Sequence, residues 1–317
     1  MGVDVSGVVS VDRAGSGEVT ETPRADVTVV VLSFNRPLLL EKALQSIDLQ
    51  TYPHRDVIVV DNRSASSDRV FGVVRRFPHV RLIANEVNRG FTGGMNDGLA
   101  QAQGEYVYLT EDDIELAPDC LSHLVEYLSA HPETGIAGPV MWNRHSPTIR
   151  CAGGEFSLGS VYRMRVTGAN DLAPPSSSPF QTMYVPGAMI AARTSVLREI
   201  GGFNNDFFMY GEDVELCSRV RRHGLEITIV PAAKVYHHEP PTAPDSPLLV
   251  FHKNKNLAAL YLLHAPLVVL PEFLLRYAAL EGFRRVLGRR ASFGAWFKSW
   301  MWTARHAPGL LLDRARR

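Results

Sequence analysis

Three consecutive acids end the apolar segment EYVYLTEDD at residues 105–113. The run before them is aromatic and β-branched, which is typical of a buried strand. Glu111, Asp112 and Asp113 then lie at the carboxyl end of that strand, where open α/β sheets bind their ligands. Because adjacent carboxylates repel one another, a divalent cation such as Mg²⁺ or Mn²⁺ would stabilise them, and oxygen ligands suit both ions. A solvated acidic turn is the alternative interpretation.

Polar residues also follow two other predicted strands. The first strand runs into the segment Ser33–Arg36, which contains Asn35, and the second ends at Asp61 and Asn62. Because parallel strands end at the same edge of a sheet, we expect these side chains to converge with the three acids. Helix caps and turns would explain any one of them alone.

A glycine-rich stretch, NRGFTGGMN, occupies residues 88–96. Glycine lets backbone amides approach a phosphate or a ribose, and an arginine can offset negative charge. No Gly-Lys-Ser/Thr follows, so the stretch is not a Walker loop, and a simple turn before a helix is the alternative. The residues that could contact such a phosphate or ribose are Asn88, Arg89, Gly90, Gly94 and Asn96.

A second acidic pair, Glu212 and Asp213, opens the predicted helix EDVELCSRVRRHG. Acids at the start of a helix and arginines at its end suit the helix dipole, so ordinary helix electrostatics is one explanation. The other explanation is a carboxylate base that faces the metal site.

Alternating strands and helices position these residues. From residue 26 onwards, predicted strands are separated by predicted helices, which indicates an α/β fold with a doubly wound, mostly parallel sheet. The regular pattern lapses over residues 143–183, which contain the Pro/Ser segment DLAPPSSSP. We expect this part to be mobile and to lie over or beside a site.

The composition is that of an ordinary globular protein. The chain has 317 residues, of which 45% are hydrophobic and 21% charged. Its three cysteines have no metal-ligand spacing, so we expect reduced structural thiols in a cytoplasmic compartment. The first 25 residues contain no continuous apolar core, which predicts a flexible lead-in rather than a signal peptide.

Charge is distributed unevenly along the chain. Residues 276–317 contain ten Lys or Arg against two acids, whereas the net charge of the whole chain is zero. A basic tail suits anionic lipid, and the acidic remainder argues against nucleic acid as a substrate. The uncharged run Asn256–Pro271 is too short and too interrupted for a membrane span. We expect a helix in the membrane interface, or one packed on the domain or on a second subunit.

The ordered set of motifs resembles the family 2 glycosyltransferases with the GT-A fold, especially the bacterial rhamnosyltransferase- and galactofuranosyltransferase-like branch. The resemblance covers roughly residues 26–256. It is carried by Ser-x-Asn-Arg after the first strand, Val-Val-Asp-Asn, Asn-x-Gly-x-x-Gly-Gly-x-Asn, the acidic triplet, a Pro-Gly-Ala loop, Gly-Gly-Phe, Gly-Glu-Asp and a late histidine.

The resemblance implies that a sugar is transferred with inversion from a nucleoside diphosphate sugar. The family's Asp-x-Asp motif falls on Glu111–Asp113, with Glu in the first position. By this resemblance Asp113, together with Asp112, binds the metal. The residues that would hold the nucleotide-sugar are Ser33, Asn35, Arg36, Asp61, Glu111 and Asp112.

The resemblance also assigns the second half of the site. The family's acidic pair falls on Glu212 and Asp213, with Asp213 as the base, and a further metal ligand falls on His237 rather than His238. Lys255 stands where the family often has the arginine of an Arg-Asn pair, and it could offset phosphate charge. The residues placed on the acceptor side are Gly187, Ala188 and Trp142, with core packing as the alternative for the tryptophan.

These observations predict three regions and one activity. The regions are a lead-in (1–25), a GT-A domain (26–256, donor half about 26–115, acceptor half about 116–256) and an amphipathic basic helical region (257–317). The predicted enzyme is a hexosyl- or rhamnosyltransferase that uses Mn²⁺ or Mg²⁺. Its donor would be dTDP-rhamnose, UDP-galactofuranose or a UDP-hexose. Its acceptor would be a saccharide, free or lipid-linked, used in cell-envelope polysaccharide synthesis at the cytoplasmic face of the membrane.

Two other functions remain open at this point. A sugar-phosphate nucleotidyltransferase usually has a Gly-rich, basic loop after the first strand, and Ser-Phe-Asn-Arg-Pro at residues 33–37 disfavours it. A non-catalytic saccharide- or nucleotide-binding scaffold would be expected to lose Asp113 or Asp213, and both acids are present.

Overall fold

The computed structural model describes residues 27–238, 246–277 and 290–316. The predicted lead-in at residues 1–25 lies outside these ranges, and so do residues 278–289 of the predicted C-terminal region. The division into three regions therefore stays a prediction.

Ten of the described strands form one sheet and two more form a separate hairpin. The long strands of the sheet are β1 (Val27–Ser33), β2 (Arg55–Asp61), β3 (Val80–Ala84), β4 (Tyr106–Glu111), β6 (Thr134–Asn143), β11 (Met189–Arg193) and β12 (Glu226–His237). The short ones are β5 (Ile114–Leu116), β7 (Ile149–Cys151) and β10 (Phe180–Gln181), and the hairpin is β8 (Gly154–Leu158) with β9 (Tyr162–Val166).

Helices cover the sheet and continue beyond it. They are α1 (Pro37–Asp48), α2 (Ser67–Val74), α3 (Gly90–Gln101), α4 (Cys120–Ala130), α5 (Thr194–Ile200), α6 (Glu212–Arg222), α7 (Pro247–His264), α8 (Leu270–Leu275) and α9 (Arg290–Arg316). Short 3₁₀ turns lie at Asn205–Phe207 and Leu267–Val269. Pro37 stands in the first turn of α1, as its fixed φ and missing N–H allow.

The parallel half of the sheet aligns the polar strand ends. The strand order is β10-β12-β6-β11-β4-β1-β2-β3, and β1 pairs in parallel with both β2 and β4. Ser33 lies opposite Asp61, and Leu32 lies opposite Glu111. The predicted doubly wound, mostly parallel α/β sheet is confirmed, and it brings these ends to one edge.

The structure differs from the sequence prediction in two places. First, β11 runs antiparallel to both of its neighbours, β4 and β6. Second, residues 143–183 are not without regular structure, because they contain β7, β8, β9 and β10. These strands are only two to five residues long and the side chains of β9 are mostly exposed, so their alternation is too short to identify them from the sequence.

The C-terminal helix α9 packs along α7. Its buried side chains are Ala295, Trp296, Ser299, Thr303 and Leu310, and Arg314 donates to the carbonyls of Leu262 and Ala265. Of the alternatives for this region, packing on the domain is therefore what the described residues adopt. No helix within the described ranges is both long and apolar enough to cross a bilayer.

Candidate active site

The acidic triplet divides between two environments. The carboxylate of Asp112 is buried and accepts hydrogen bonds from Ser33 Oγ at 2.9 Å and from the backbone N–H of Phe34 at 3.1 Å. Arg36 Nε lies 3.1 Å from its other oxygen. Ser33, Arg36 and Asp112 thus meet as predicted, but these contacts hold the loop after β1 against β4.

Asp113 lies beside His237 instead. The Oδ2 atom of Asp113 is 3.6 Å from His237 Nε2 and also forms an ion pair with Arg36. Antiparallel pairing of β5 with β12 produces this contact, because the backbone N–H of His238 donates to the carbonyl of Asp113 at 2.9 Å. The Nε2 atom of His238 lies 2.5 Å from Glu115 Oε1, so the imidazole of His238 pairs with Glu115 and not with Asp113. The geometry therefore agrees with His237 as the histidine of the predicted metal site.

These two side chains fit a divalent cation in part. Within the described ranges, Asp113 Oδ1 is buried and accepts no hydrogen bond, so it is available as a ligand. A carboxylate and an imidazole are suitable donors for Mn²⁺ and, through the oxygen, for Mg²⁺. No group of three or more His, Cys, Asp or Glu side chains gathers at one point in this part of the chain, so any cation would also need ligands from a substrate or water.

The electrostatics of the triplet favour a positive charge. Burial raises the pKa of Glu111 to about 8, and the neighbouring Asp113 adds to the rise. Burial also raises the pKa of Asp112 to about 7, although Arg36 opposes the rise. Both shifts mean that the ionised carboxylates are destabilised here, which is the condition that a bound cation relieves.

Asp213 begins the opposite wall at the amino end of α6. Its carboxylate accepts hydrogen bonds from the hydroxyl of Tyr184, the backbone N–H of Gly187 and, at 2.8 Å, the backbone N–H of Val214. Burial raises its pKa, and these three donors partly counter the rise. A carboxylate oriented in this way, with its pKa moved towards neutrality, is suited to accept a proton.

Glu212 precedes it and is the more buried of the pair. It is 7% exposed, and its Oε2 accepts no hydrogen bond from the described residues. Burial and the charge of Asp213 hold the pKa of Glu212 well above its usual range. The charged form of Glu212 is therefore disfavoured at this position.

The loop before α6 contains strained backbone. Phe208 has φ 62° and ψ −58°, and the backbone N–H of Met209 donates to the carbonyl of Phe207 at 2.7 Å, which makes a γ-turn. Asn256 Nδ2 donates to the carbonyls of Phe207, Met209 and Tyr210 at 2.6–2.8 Å. Strained turns persist where their surroundings hold them, and here one amide on α7 does so.

Lys255 supports the same loop from behind. Its buried ammonium donates to the carbonyl of Asp206, lies 2.5 Å from Asn256 Oδ1 and sits 4.5 Å from the ring centroid of Trp302 on α9. Burial lowers its pKa to about 8. The sequence suggests that Lys255 could offset the charge of a phosphate. In the structure its ammonium instead contacts the loop before α6.

Asn35 and Asp61 join the loops after β1 and β2. Asn35 donates from its backbone N–H to Ser64 Oγ at 2.8 Å and accepts from Ala65 N at 2.7 Å. Asp61 accepts from Ser64 N at 3.1 Å and from Ser67 Oγ at 3.0 Å. The structure brings both residues to the predicted edge, and their nucleotide contacts stay predictions.

Asn62 organises the start of the glycine-rich stretch. Its Nδ2 donates to Asn88 Oδ1 at 3.1 Å and to the carbonyl of Gly90 at 2.8 Å. Its Oδ1 accepts from Arg89 N at 3.0 Å. The guanidinium of Arg89 is paired with Asp97 at 2.6 Å, so in this state its charge is already balanced.

The glycines of this stretch serve close packing. A Cβ at Gly94 would stand 2.4 Å from Leu32 Cδ1, and one at Gly98 would stand 2.2 Å from Val30 Cγ1, so α3 lies directly on β1. Asn96 donates to the carbonyl of Phe203 at 2.8 Å. Packing thus accounts for Gly94 and Asn96 within this state, and their assignment to the nucleotide-sugar stays a prediction.

The residues around Asp113 and those around Asp213 line one cavity of about 970 Å³. Of the predicted residues, those that line it are Arg36, Glu111, Asp113, Gly187, Ala188, Glu212, Asp213 and His237. Trp142 is not among its lining residues, whereas its neighbour Met141 is, since successive side chains of β6 face opposite sides of the sheet. Trp142 packs against the core instead, which was the alternative for it.

Several lining residues carried no signal in the sequence. Tyr184 is the clearest case, because its contact with Asp213 joins residues far apart in the chain. Tyr162 and Met164 come from the hairpin, and Arg150 and Lys253 supply positive charge from β7 and α7. The flanking Pro-Gly-Ala motif pointed to the region of Tyr184 but not to the residue itself.

The chain matches the family described as "Glycosyl transferase family 2" over residues 28–200, which is more than half of its length. It belongs to this family, and it is a glycosyltransferase. Residues 176–240 also match "N-terminal domain of galactosyltransferase". The predicted family and enzyme class are confirmed.

Two curated relatives come from bacteria. An N-acetylglucosaminyl-diphospho-decaprenol L-rhamnosyltransferase of Mycobacterium tuberculosis is 28% identical over 252 residues, which cover 71% of this chain and 81% of the relative. A GalNAc(5)-diNAcBac-PP-undecaprenol beta-1,3-glucosyltransferase of Campylobacter jejuni is 37% identical over 105 residues, 32% of this chain and 33% of the relative.

Solved structures share the fold. GalNAc-T7, determined with UDP, GalNAc and Mn²⁺, superposes with a TM-score of 0.65 at 15% identity, over 91% of this chain and 59% of that one. A mannosyltransferase of Pyrobaculum calidifontis, in complex with GDP-Man and Mn²⁺, superposes with a TM-score of 0.56 at 20% identity, over 93% of this chain and 81% of that one. The predicted GT-A fold is confirmed.

Proposed function

We propose that this enzyme transfers a sugar with inversion from a nucleoside diphosphate sugar to a saccharide acceptor, and that the transfer depends on a divalent metal. The observation that carries the proposal is the placement of Asp213 and Asp113 in the lining of one cavity. One acid is equipped to accept a proton, and the other stands beside a histidine that can ligate a metal. A single in-line displacement at the anomeric carbon needs both groups.

Asp113 and His237 would hold the metal, which is Mn²⁺ or Mg²⁺. When bound, it would stabilise the negative charge of the diphosphate leaving group. Arg36 already lies against Asp112 and Asp113 and contributes fixed positive charge at this wall. The charge-balanced wall is therefore suited to the diphosphate end of the donor.

Asp213 would act as the general base. Tyr184 and Gly187 hold its carboxylate in one orientation, so that an acceptor hydroxyl within hydrogen-bond reach can transfer its proton to Asp213. The strained loop held by Asn256 fixes the start of α6 and thus the position of this carboxylate.

The donor and acceptor follow from the relatives by analogy. The name of the mycobacterial relative specifies rhamnosyl transfer to a saccharide on decaprenyl diphosphate, and the match spans most of both chains. dTDP-rhamnose is therefore the leading donor, with UDP-galactofuranose and UDP-hexoses as the others. A lipid-linked saccharide of cell-envelope synthesis is the proposed acceptor.

We place the enzyme at the cytoplasmic face of the membrane, bound through its C-terminal helices. Phe293, Phe297 and Met301 recur every fourth residue on α9 and are 36%, 52% and 57% exposed. An exposed apolar stripe of this kind suits a membrane interface, or a second subunit. Flotation with anionic vesicles distinguishes these partners, because failure to float while sedimenting as a dimer would favour the subunit.

Nucleotide binding tests the activity. Calorimetry with UDP, dTDP, GDP and CDP, with and without Mn²⁺, should show metal-dependent binding of UDP or dTDP that Asp113→Ala abolishes. Asp119→Ala, an exposed acid outside the cavity lining, is the matched control and should bind as the wild type does. Folded protein that binds none of the four nucleotides in the presence of Mn²⁺ would exclude the proposed transfer.

A further inference from the structure

One part of the cavity, the acidic floor, is lined by Glu111, Asp113, Glu212 and Asp213. Another part, lined by β9 and α7, is apolar. On β9, the cavity side carries Tyr162, Met164 and Val166, which alternate along the strand as its pleat requires. Met164 and Val166 are each 38% exposed. Leu257 and Leu260 of α7 also line this part. Such apolar surface inside a cavity is suited to an apolar portion of a ligand.

The hairpin and α7 form one continuous wall. The hydroxyl of Tyr261 on α7 donates to the carbonyl of Gly159, in the turn of the hairpin, at 2.7 Å. Tyr162 packs against the cluster formed by Tyr261 and Phe273. The two elements therefore hold each other in place, and the apolar surface does not depend on a ligand to assemble.

Two further cations, one from β7 and one from α7, line the same cavity. Arg150 projects from β7, where both of its neighbours are buried and it is exposed, and Lys253 is exposed on α7 with its ammonium 5.4 Å from the ring centroid of Tyr210. Arg36, the third basic side chain of the described lining, is paired with Asp112 and Asp113 across the cavity. The lining thus carries Arg36 beside the acidic floor and two further cations on β7 and α7.

The chemistry of the second basic group identifies its ligand class. Arg36 and a bound cation would balance the charge around Asp113, whereas the other acids of the cavity repel a second anion, which is therefore most stable near Arg150 and Lys253. A guanidinium forms paired hydrogen bonds with a phosphate and an ammonium acts as a compact point charge. An apolar wall beside these cations matches a molecule that joins a diphosphate to a hydrocarbon chain.

We infer that Arg150 and Lys253 bind the diphosphate of a polyprenyl-diphosphate-linked acceptor, and that the cavity side of β9 and α7 covers the first part of its lipid. This inference rests on the proposed function and deepens it, because it assigns the acceptor's anionic group to residues of this chain. By this inference the two diphosphates of the reaction bind at different places. The donor's diphosphate binds near Asp113, and the acceptor's diphosphate binds near Arg150 and Lys253.

Binding of farnesyl diphosphate to the full chain tests this subsite. Calorimetry is performed without nucleotide and with saturating UDP or dTDP and Mn²⁺, on the wild type, Arg150→Gln and Lys253→Gln. In each variant the Kd for farnesyl diphosphate should rise about tenfold, the factor that one charge-assisted hydrogen bond provides. The Kd for the nucleotide should stay unchanged, which also shows that the variants are folded.

Two matched substitutions control for charge alone. Arg163→Gln removes a cation from the opposite side of β9, and Lys42→Gln removes an exposed one from α1, and neither residue lines the cavity. Both should bind farnesyl diphosphate as the wild type does. Farnesol, which has the same chain without the diphosphate, should bind much more weakly to every protein.

Four results would overturn the subsite. They are a wild type that does not bind farnesyl diphosphate, complete displacement of this probe by nucleotide, equal binding of farnesol, and variants that weaken nucleotide binding while leaving the probe unaffected. Failure of the proposed function is distinguishable, because it appears as absent nucleotide binding, while the arms without nucleotide still report on Arg150 and Lys253.

Discussion

Replacing Asp213 by Asn separates proton acceptance from substrate binding. The two side chains have nearly the same shape, and the Asn carbonyl can still accept from the hydroxyl of Tyr184 or the backbone N–H of Gly187. The amide cannot take a proton from the acceptor hydroxyl. We therefore expect the cavity to keep its geometry and the reaction to lose its base.

The size of the effect follows from the role of the residue. A positioned general base contributes roughly 10²–10⁴-fold to the rate. Asp213 has a single fixed orientation and a raised pKa, so we expect a loss in kcat of about 10³-fold, or about 4 kcal/mol of transition-state stabilisation. The Kd for the nucleotide should be unchanged, because the groups assigned to the diphosphate lie around Asp113 and His237 on the other wall.

Steady-state kinetics as a function of pH is the assay. Tyr184→Phe removes a hydrogen bond that lowers the pKa of Asp213, so the pKa of the base rises and the acidic limb of the kcat profile should move to higher pH. Glu212→Gln is the matched control for an acid-to-amide change at the neighbouring position. Activity of Asp213→Asn within tenfold of the wild type, or a larger loss in Glu212→Gln, would refute Asp213 as the base.

Three further predictions concern packing, pH and the C-terminal helix. Gly98→Ala should destabilise the fold by about 1–3 kcal/mol, since its Cβ would stand 2.2 Å from Val30, whereas Gly72→Ala, with open space around it, should stabilise it by up to about 1 kcal/mol in denaturant unfolding. Buried Glu215 has a pKa lowered from 4.5 to about 2, with its ion pair and hydrogen bonds outweighing the cost of burial. It therefore contributes about 3 kcal/mol above pH 4.5 that is lost as pH falls towards 2, and Glu215→Gln should flatten that part of the stability profile. Trp302→Leu should lower kcat with an unchanged nucleotide Kd, because the ring covers the ammonium that supports the loop before α6; an unchanged kcat would show that α9 does not position the base.

Sequence patterns were sufficient for the main features of the fold. The apolar runs of β1, β2 and β4 are buried nearly throughout, and periodicity identifies such strands directly. The order of strand and helix then predicts the parallel sheet and places the polar strand ends at one edge. By contrast, the antiparallel direction of β11 and the pairing of the hairpin could not be predicted, since strand direction depends on distant partners and the strands of the hairpin are short.

The acidic triplet shows what tertiary structure adds. Its composition indicates a cation-binding site, but three adjacent acids cannot all face one cavity, because neighbouring side chains of an extended chain point in different directions. The fold directs Asp112 to Ser33 and Asp113 to His237, two partners that lie far away in the chain.

The sequence by itself determined the family and the parallel part of the sheet, and it marked the acids to which we assign the reaction, because these depend on local patterns and on motifs in a fixed order. Only the tertiary structure decided which groups act together. The contact of Tyr184 with Asp213, the support of the strained loop by Asn256 and the basic apolar wall with Arg150 all join separate segments. Such contacts are set by strand register and helix packing, which no short stretch of sequence specifies.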